Sequence, residues 1–444
     1  MDEVPLLKQR GARGAWTSKP DGARAPSRGR IVPFAAGATG ITLLVFAFFA
    51  VTWRSFARST NVIGSCAEMF CDFIIYYYPM GEAIFRTGLP VEGFLYSPFI
   101  AILLAAFPPL GLTASLVLWG ILQVLFVVLY LLLFRLLVPA GLKIQLLFVA
   151  LALSSYPLLL NQLGGQVSVF MIVALLGLLV LNERGHRAAG AGLLAFAVSF
   201  KFYPILFVAP FAARRDARFL LLAAAACGAF LVVVPGALLG VGDTLRFYGV
   251  LLDSFRASDW VTANPHSQYF PHFILRLSDT TGHDAHLPLL YWIAYGVAAA
   301  NMGLIFLVQR ARLRHADLWS FQLVFMTIPF VLKTSWPHDF VFLSFTQALL
   351  VWRLLKGEKA APGTDTAGKR SHTSAWPRAR AAVTILLLLP SIVISNIVFF
   401  LLFGDFTRYG FYGFLFWANL LLLMASYVQL LPPALQRVRQ LSAA

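Results

Sequence analysis

Asp72 is the residue whose placement calls for chemistry. It lies in the stretch from Glu68 to Leu110, one position before the apolar and aromatic run Phe73 to Tyr78. A carboxylate beside a membrane face is costly unless it is solvated or has work to do. Placed against a reacting hydroxyl, it can take the proton as the new bond forms. The bland alternative is a solvated interfacial acid that caps a helix. Two cationic or titratable groups can serve the same site. Lys201 sits between two apolar pieces beside Tyr203-Pro204, and His338 precedes Asp339. Both can stabilise charge on a leaving anion from a preorganised position. Their bland alternatives are a lysine snorkelling to the headgroups and a loop histidine satisfied by its neighbour.

The elements that must position these residues are membrane helices. The chain has 444 residues, 59% hydrophobic and only 12% charged, with a mean hydropathy of +0.77. Soluble domains carry roughly a quarter charged residues. Several apolar runs exceed the ~17–25 residues that cross a bilayer, so the fold class is an all-α polytopic membrane protein. The net charge of +16 does not indicate a nucleic-acid partner. The Lys and Arg residues gather in short loops and in the N-terminal tail, as the positive-inside rule requires.

Residues 1–31 read as a disordered basic cytoplasmic tail, and the apolar run after it is too long for a cleavable signal. The transmembrane domain reads as 32–431, with outer loops 54–111 and 242–286, a cytoplasmic linker 357–380 and a cytoplasmic tail 432–444. About twelve spans are expected. The first covers 32–53, and the short piece 96–107 lies as a juxtamembrane helix in the outer interface. Two short pieces, 188–200 and 203–213, flank Lys201 as half-helices. This assignment puts Arg135, Lys143, Arg184, Arg187, Arg214 and Arg310 inside with both termini. An alternative makes 94–110 a span and 188–213 a single helix. In the preferred assignment, Asp72, Lys201 and His338 lie outside, away from cytosolic nucleotides. An enzyme working there needs a donor that arrives through the membrane.

The ordered polar motifs resemble a GT-C glycosyltransferase, more narrowly glycosyltransferase family 87. The resemblance rests on Asp72 followed by Tyr76-Tyr77, and on Tyr96-Ser97-Pro98 leading a juxtamembrane helix. It continues through Gly165-Gln166, Ala191-Gly192-Leu193, Lys201-Phe202-Tyr203-Pro204, Asn264-Pro265-His266-Ser267 and Ser335-Trp336-Pro337-His338. Asn264-Pro265-His266-Ser267 departs from the more compact Asn-Gln-Ser expected there. The resemblance implies transfer of a hexose, mannose by family likeness, from a polyprenyl-phosphate donor to a lipid or glycan acceptor. It implies inversion at the anomeric carbon, with Asp72 as the base, in the plasma membrane. Lys201 with Tyr203 is then expected at the donor phosphate, and His338 as a second catalytic group. Asn264, His266, Ser267 and Ser335 are expected to hydrogen-bond the substrates, with Gln166 beside them, although an ordinary polar turn also accounts for the first three. Tyr76, Tyr77, Tyr96 and Trp336 are expected to stack on sugar or prenyl groups, although interfacial Tyr and Trp are common without a ligand.

No cofactor is expected. Glu68, four residues before Asp72, and Glu82 leave a divalent-ion reading open. His283, Asp284 and His286, with His272 nearby, lack helical ligand spacing and read as a solvated loop. Cys66 and Cys71 are poorly spaced for a helical pair and are expected as free thiols, and Cys227 as span packing. The rival class is a lipid-linked-sugar flippase or transporter. Such proteins often carry internal repeats and mid-membrane charges, and neither is evident.

Overall fold

Proline begins many of the helices. Pro79, Pro98, Pro157, Pro204, Pro271 and Pro337 each occupy the first or second helical position. There the missing N–H has no intrahelical acceptor to lose. The computed structural model describes residues 36–44, 47, 69–256, 261–262, 264–282, 286–356, 375–401 and 406–443, and among these it contains helices and no strand. Most of the expected first span, the 1–31 tail, Glu68, Cys66, His283, Asp284 and most of the 357–380 linker lie outside the described residues.

The first outer loop folds as a π-helical turn, Phe73–Tyr77, running into α1 (Tyr78–Thr87), followed by α2 (Pro98–Leu104) and a 3-10 turn, Pro108–Leu110. Then come α3 (Leu112–Leu137), α4 (Leu142–Leu153), α5 (Tyr156–Gly164), α6 (Ser168–Glu183) and α7 (Arg187–Phe200). A 3-10 segment, Tyr203–Val208, leads to α8 (Ala209–Ala213), α9 (Ala217–Gly228), α10 (Val234–Leu239) and α11 (Val241–Arg256). The chain closes with α12 (Phe270–Thr281), α13 (Leu287–Arg310), α14 (Ala316–Val331), α15 (Phe342–Lys356), α16 (Ala375–Val393) and, after three short helical pieces (Ile394–Val398, Phe399–Leu401 and Phe406–Phe411), α17 (Phe414–Ala443).

Five of the described helices are long and apolar enough to cross a membrane, or six if α4 and α5, bent by 53°, form one span. The expected count of about twelve is not confirmed by length among the described residues. Helices α6, α7 and α14 have 16, 14 and 16 residues, short of the ~20 that cover a 30 Å hydrocarbon core. Their apolar surface is instead covered by protein. Most residues of α6 and α14 are buried, 12 of 16 and 13 of 16, as expected for a helix that is hydrophobic all round. Within the 242–286 segment, α11 and α12 occupy most of the residues. Likewise α17 runs through Pro432-Pro433 to Ala443, where a tail was expected.

The alternative with one helix over 188–213 is absent. Lys201 is extended (φ −143°, ψ 143°) and breaks the helix, and the chain then returns. Arg187 pairs with Asp216 at 3.4 Å and Arg214 pairs with Asp317, so both arms end on the same side. Arg353 lies over the Trp319 ring at 4.9 Å, which brings the end of α15 to that side too. The helix ends carrying Gln166, Lys201 and Leu332 are at the opposite ends of α6, α7 and α14. The molecule therefore has a basic end and a cavity end.

Polar side chains join the helices inside the core. Gln347 donates to Ser391 and Ser395, Gln322 donates to Ser426, and Asn419 donates to the Met326 carbonyl. Between apolar helices in lipid such bonds hold partners together, at about 0.6–2 kcal/mol each.

Candidate active site

The position of Asp72 is set by the residues on either side of it. Phe70 adopts a left-handed conformation (φ 64°) and gives its N–H to the Leu163 carbonyl at 2.7 Å. Opposite it, Gly165 (φ 69°) ends α5, and its carbonyl accepts from Trp119 Nε1 at 3.0 Å. A Cβ at Gly165 would stand 3.1 Å from Phe70 Cα and from Trp119 Nε1, so glycine is required both for the dihedral and for the close approach. Beyond Asp72, Phe73 packs on Trp119 (centroids 4.8 Å apart) and Phe107 (5.2 Å). The aromatic run that drew attention in the sequence is thus the anchor that turns Asp72 inward. Cys71 is disulfide-bonded, which corrects the expectation of a free thiol, while Cys227 is free. The separation argument assumed a helix through both cysteines, but the helix begins only at Cys71.

A hydrogen-bonded chain ends on the carboxylate. Tyr77 and Tyr96 hydroxyls lie 2.8 Å apart, and the Tyr77 hydroxyl donates to Gln166 Oε1 at 3.2 Å. Gln166 Nε2 donates to Asp72 Oδ2, and its backbone carbonyl accepts from Gln123 Nε2 at 2.8 Å. The tyrosine contact fixes which end of the amide faces Asp72. One carboxylate oxygen is therefore oriented. Burial raises the Asp72 carboxyl to about 7, against a smaller lowering pull from Lys201.

Lys201 reaches the same space from the α7 break. Its ammonium lies 2.6 Å from Asp339 Oδ1, an oxygen that also accepts from the Ser168 hydroxyl at 3.0 Å. The other Asp339 oxygen accepts the Trp336 N–H at 3.1 Å. His338 Nε2 is 3.5 Å from the Lys201 ammonium, and burial lowers its pKa to about 3, so the ring is neutral.

Asp72 and Lys201 both line a cavity of about 490 Å³. Of the residues singled out in the sequence, Asp72, Tyr76, Tyr77, Tyr96, Gln166, Lys201 and Tyr203 line it. Asn264, His266, Ser267, Ser335, Trp336 and His338 do not form its wall. The first four belong to a separate closed cluster. Asn264 Oδ1 accepts the His266 N–H at 2.9 Å, and Arg276 donates to the carbonyls of Asn264 (2.9 Å) and Ser267 (2.6 Å). The Ser267 hydroxyl donates to the Lys333 carbonyl at 3.3 Å, the Gln268 N–H to the Ser335 carbonyl at 2.8 Å, and the Ser335 hydroxyl to the Leu332 carbonyl at 2.7 Å. Burial and the Arg276 charge lower the His266 pKa to about 4. No group of three metal-ligating side chains occurs among the described residues.

Sequence reasoning assigned no role to Phe202, Phe255, Arg256 and residues 331–334, which also line the cavity. It also missed the anchoring role of Asp339. Lys333, next to the Thr334–Asp339 polar stretch, was the available signal.

The fold and site define an all-helical membrane protein with a single oriented carboxylate facing a cavity at one end. Residues 94–335 match the model of glycosyltransferase family 87, more than half of the chain, and the chain belongs to that family, as a membrane glycosyltransferase. The match includes Tyr96, Gln166, Lys201, Tyr203 and Asn264 to Ser335, and it begins after Asp72. No curated protein and no solved structure matches the chain.

Proposed function

We propose that the protein transfers a hexose, mannose by family likeness, from a polyprenyl-phosphate donor to an acceptor hydroxyl, with inversion and with Asp72 as the base. The observation that carries this reading is the Asp72 carboxylate, oriented by Gln166 and raised to about 7 in a cavity of about 490 Å³. A base works best with a pKa near the working pH. The acceptor oxygen forms its bond to the anomeric carbon as the carbon–oxygen bond to phosphate breaks on the opposite face. The hydroxyl proton passes to Asp72, and the polyprenyl phosphate leaves with the electron pair. One carboxylate suffices because a phosphate leaving group needs its charge stabilised more than it needs a proton. Tyr76, Tyr77 and Tyr96 offer rings and hydroxyls to the sugar. Phe202, Phe255, Val331 and Leu332 give an apolar wall suited to a prenyl chain.

The outer face of the plasma membrane is the proposed location. Two observations support it. The disulfide at Cys71 sits next to the base, and disulfides persist in oxidising compartments. The cavity also lies at the end away from Arg187, Arg214 and Arg353.

The test is sugar transfer in purified membranes with radiolabelled polyprenyl-phosphate mannose and a mixed lipid extract as acceptor. Wild type gives labelled product and a folded Asp72→Asn variant gives none. Equal product from both removes Asp72 from the mechanism.

A further inference from the structure

The sequence directs attention to Lys201 for the donor phosphate, but its charge is already committed. The ammonium is 2.6 Å from Asp339, whose side chain is fully buried, and only 12% of the lysine side chain is exposed. Asp339 is itself held by Ser168 and the Trp336 N–H. Separating this pair to free Lys201 for a ligand would strand a buried carboxylate, which is strongly unfavourable.

Two other cations, Lys333 and Arg256, line the same cavity as Asp72 and Gln166. Lys333 is exposed and forms no ion pair among the described residues; its ammonium stands 5.9 Å from the Tyr291 ring centre. Arg256 is exposed too, and its contact with Asp253 is a loose 3.5 Å pair between side chains 72% and 77% exposed. A pair of that kind is screened by water and easily exchanged for a better anion. Both cations lie beside apolar side chains, Arg256 after Phe255 and Lys333 after Val331-Leu332, all on the cavity wall. Positive groups edged by apolar surface suit a phosphate attached to a hydrocarbon chain.

The backbone of Lys333 is also fixed. Its carbonyl accepts from the Ser267 hydroxyl, and the Ser335 carbonyl accepts from the Gln268 N–H. Arg276 in turn holds the Asn264–Ser267 turn by two carbonyls. The polar motif that stays off the cavity wall thus sets the position of a residue on it.

We propose that Lys333 and Arg256 form the phosphate clamp for a polyprenyl-phosphate ligand at the cavity wall, and that Lys201 is a positioning residue locked to Asp339. This rests on the lipid-phosphate donor reading above. Arg256 supplies a planar fork to two phosphate oxygens, and Lys333 a point charge to the third. As the sugar–phosphate bond breaks, the growing negative charge falls between them.

The test is binding of undecaprenyl phosphate to the purified full-length protein in lipid nanodiscs, with uncharged undecaprenol as the control. Lys333→Gln and Arg256→Gln each weaken undecaprenyl phosphate binding by roughly tenfold, and the double variant by roughly a hundredfold if the two act independently. Undecaprenol binding is unaffected by either. Because Lys201→Gln alone strands Asp339, the comparison variant is Lys201→Gln with Asp339→Asn. It weakens phosphate binding less than Lys333→Gln does. The clamp is overturned if the Lys201/Asp339 variant loses more affinity than Lys333→Gln, or if Lys333→Gln and Arg256→Gln bind as wild type. Sugar transfer by the wild type and its loss in Asp72→Asn are scored separately. A failed clamp with intact Asp72-dependent transfer leaves the function standing. Failure of wild type to prefer the phosphate over the alcohol overturns the clamp and removes support for the donor class.

Discussion

The network around Asp72 and the network around Arg276 are both built from buried polar side chains, and they differ in where their hydrogen bonds end. In the first, Tyr96, Tyr77 and Gln166 pass bonds from side chain to side chain until they reach a carboxylate with a face on the cavity. In the second, Arg276, Gln268 and the hydroxyls of Ser267 and Ser335 end on backbone carbonyls. A network that ends on backbone fixes the path of the chain. One that ends on a titratable side chain beside a cavity has capacity left for a substrate. Polar composition does not separate them, since both contain the residue types that bind sugars.

The comparison is broken most directly at its two termini. Asp72→Asn is expected to lower kcat by about 10²–10⁴-fold, the usual contribution of a positioned base, with the fold retained. Radiolabel transfer together with a thermal melt checks this, and a variant lost only through unfolding would erase the distinction. Gln166→Leu removes the orienting donor and leaves the base, so the fall in kcat is smaller, roughly 10–100-fold. Steady-state kinetics on the folded variant measure it. Arg276→Gln acts on the other network, and a thermal melt is expected to show a stability loss of about 2–3 kcal/mol, because two charged hydrogen bonds to carbonyls are lost.

The pH dependence sharpens the same contrast. With the Asp72 carboxyl near 7, the rate is expected to fall about tenfold per unit below pH 7, as a base loses its ionised form. Stability runs the opposite way. The folded carboxyl binds its proton more tightly than the unfolded one, so this residue's contribution is fully present below about pH 4 and is lost as pH rises through about 7. Wild type is therefore expected to gain melting temperature relative to Asp72→Asn as pH drops from 8 to 4, and parallel melts test it. The smallest effect is that of Ser267→Ala, at about 1 kcal/mol with kcat little changed. A large rate defect there would mean that the hydroxyl acts on catalysis, through the Lys333 backbone it holds or through the substrate itself.

What was readable in the sequence follows from this distinction. Asp72, Tyr77, Tyr96, Gln166, Lys201 and Tyr203 could be grouped because membrane topology assigns each to one side, and polar residues on one side of a helical bundle have few places to meet. The membrane class was fixed by composition alone. The helix count was not, because a run of 14 or 16 apolar residues reads the same whether lipid or protein covers it. The role of Asn264 to Ser267 depended on Arg276, a partner in the next helix that local spacing does not reveal. Lys333 was passed over because a lysine closing an apolar run reads as an ordinary flanking charge. Its carbonyl is held by the Ser267 hydroxyl, and Ser335 just after it by the Gln268 N–H, both well back along the chain.

The sequence distance between Asp72 and its partners also sets a timetable for biogenesis. Gln166 follows Asp72 by 94 residues, and Asp339 follows Lys201 by 138. At roughly 5–20 residues per second of synthesis, the orienting amide emerges about 5–19 seconds after the carboxylate. The residues 331–334 that close the cavity emerge later still. A ribosome that stops between these two points leaves a membrane-inserted fragment with the base and its orienting amide but without the cavity lining that residues 331–334 supply.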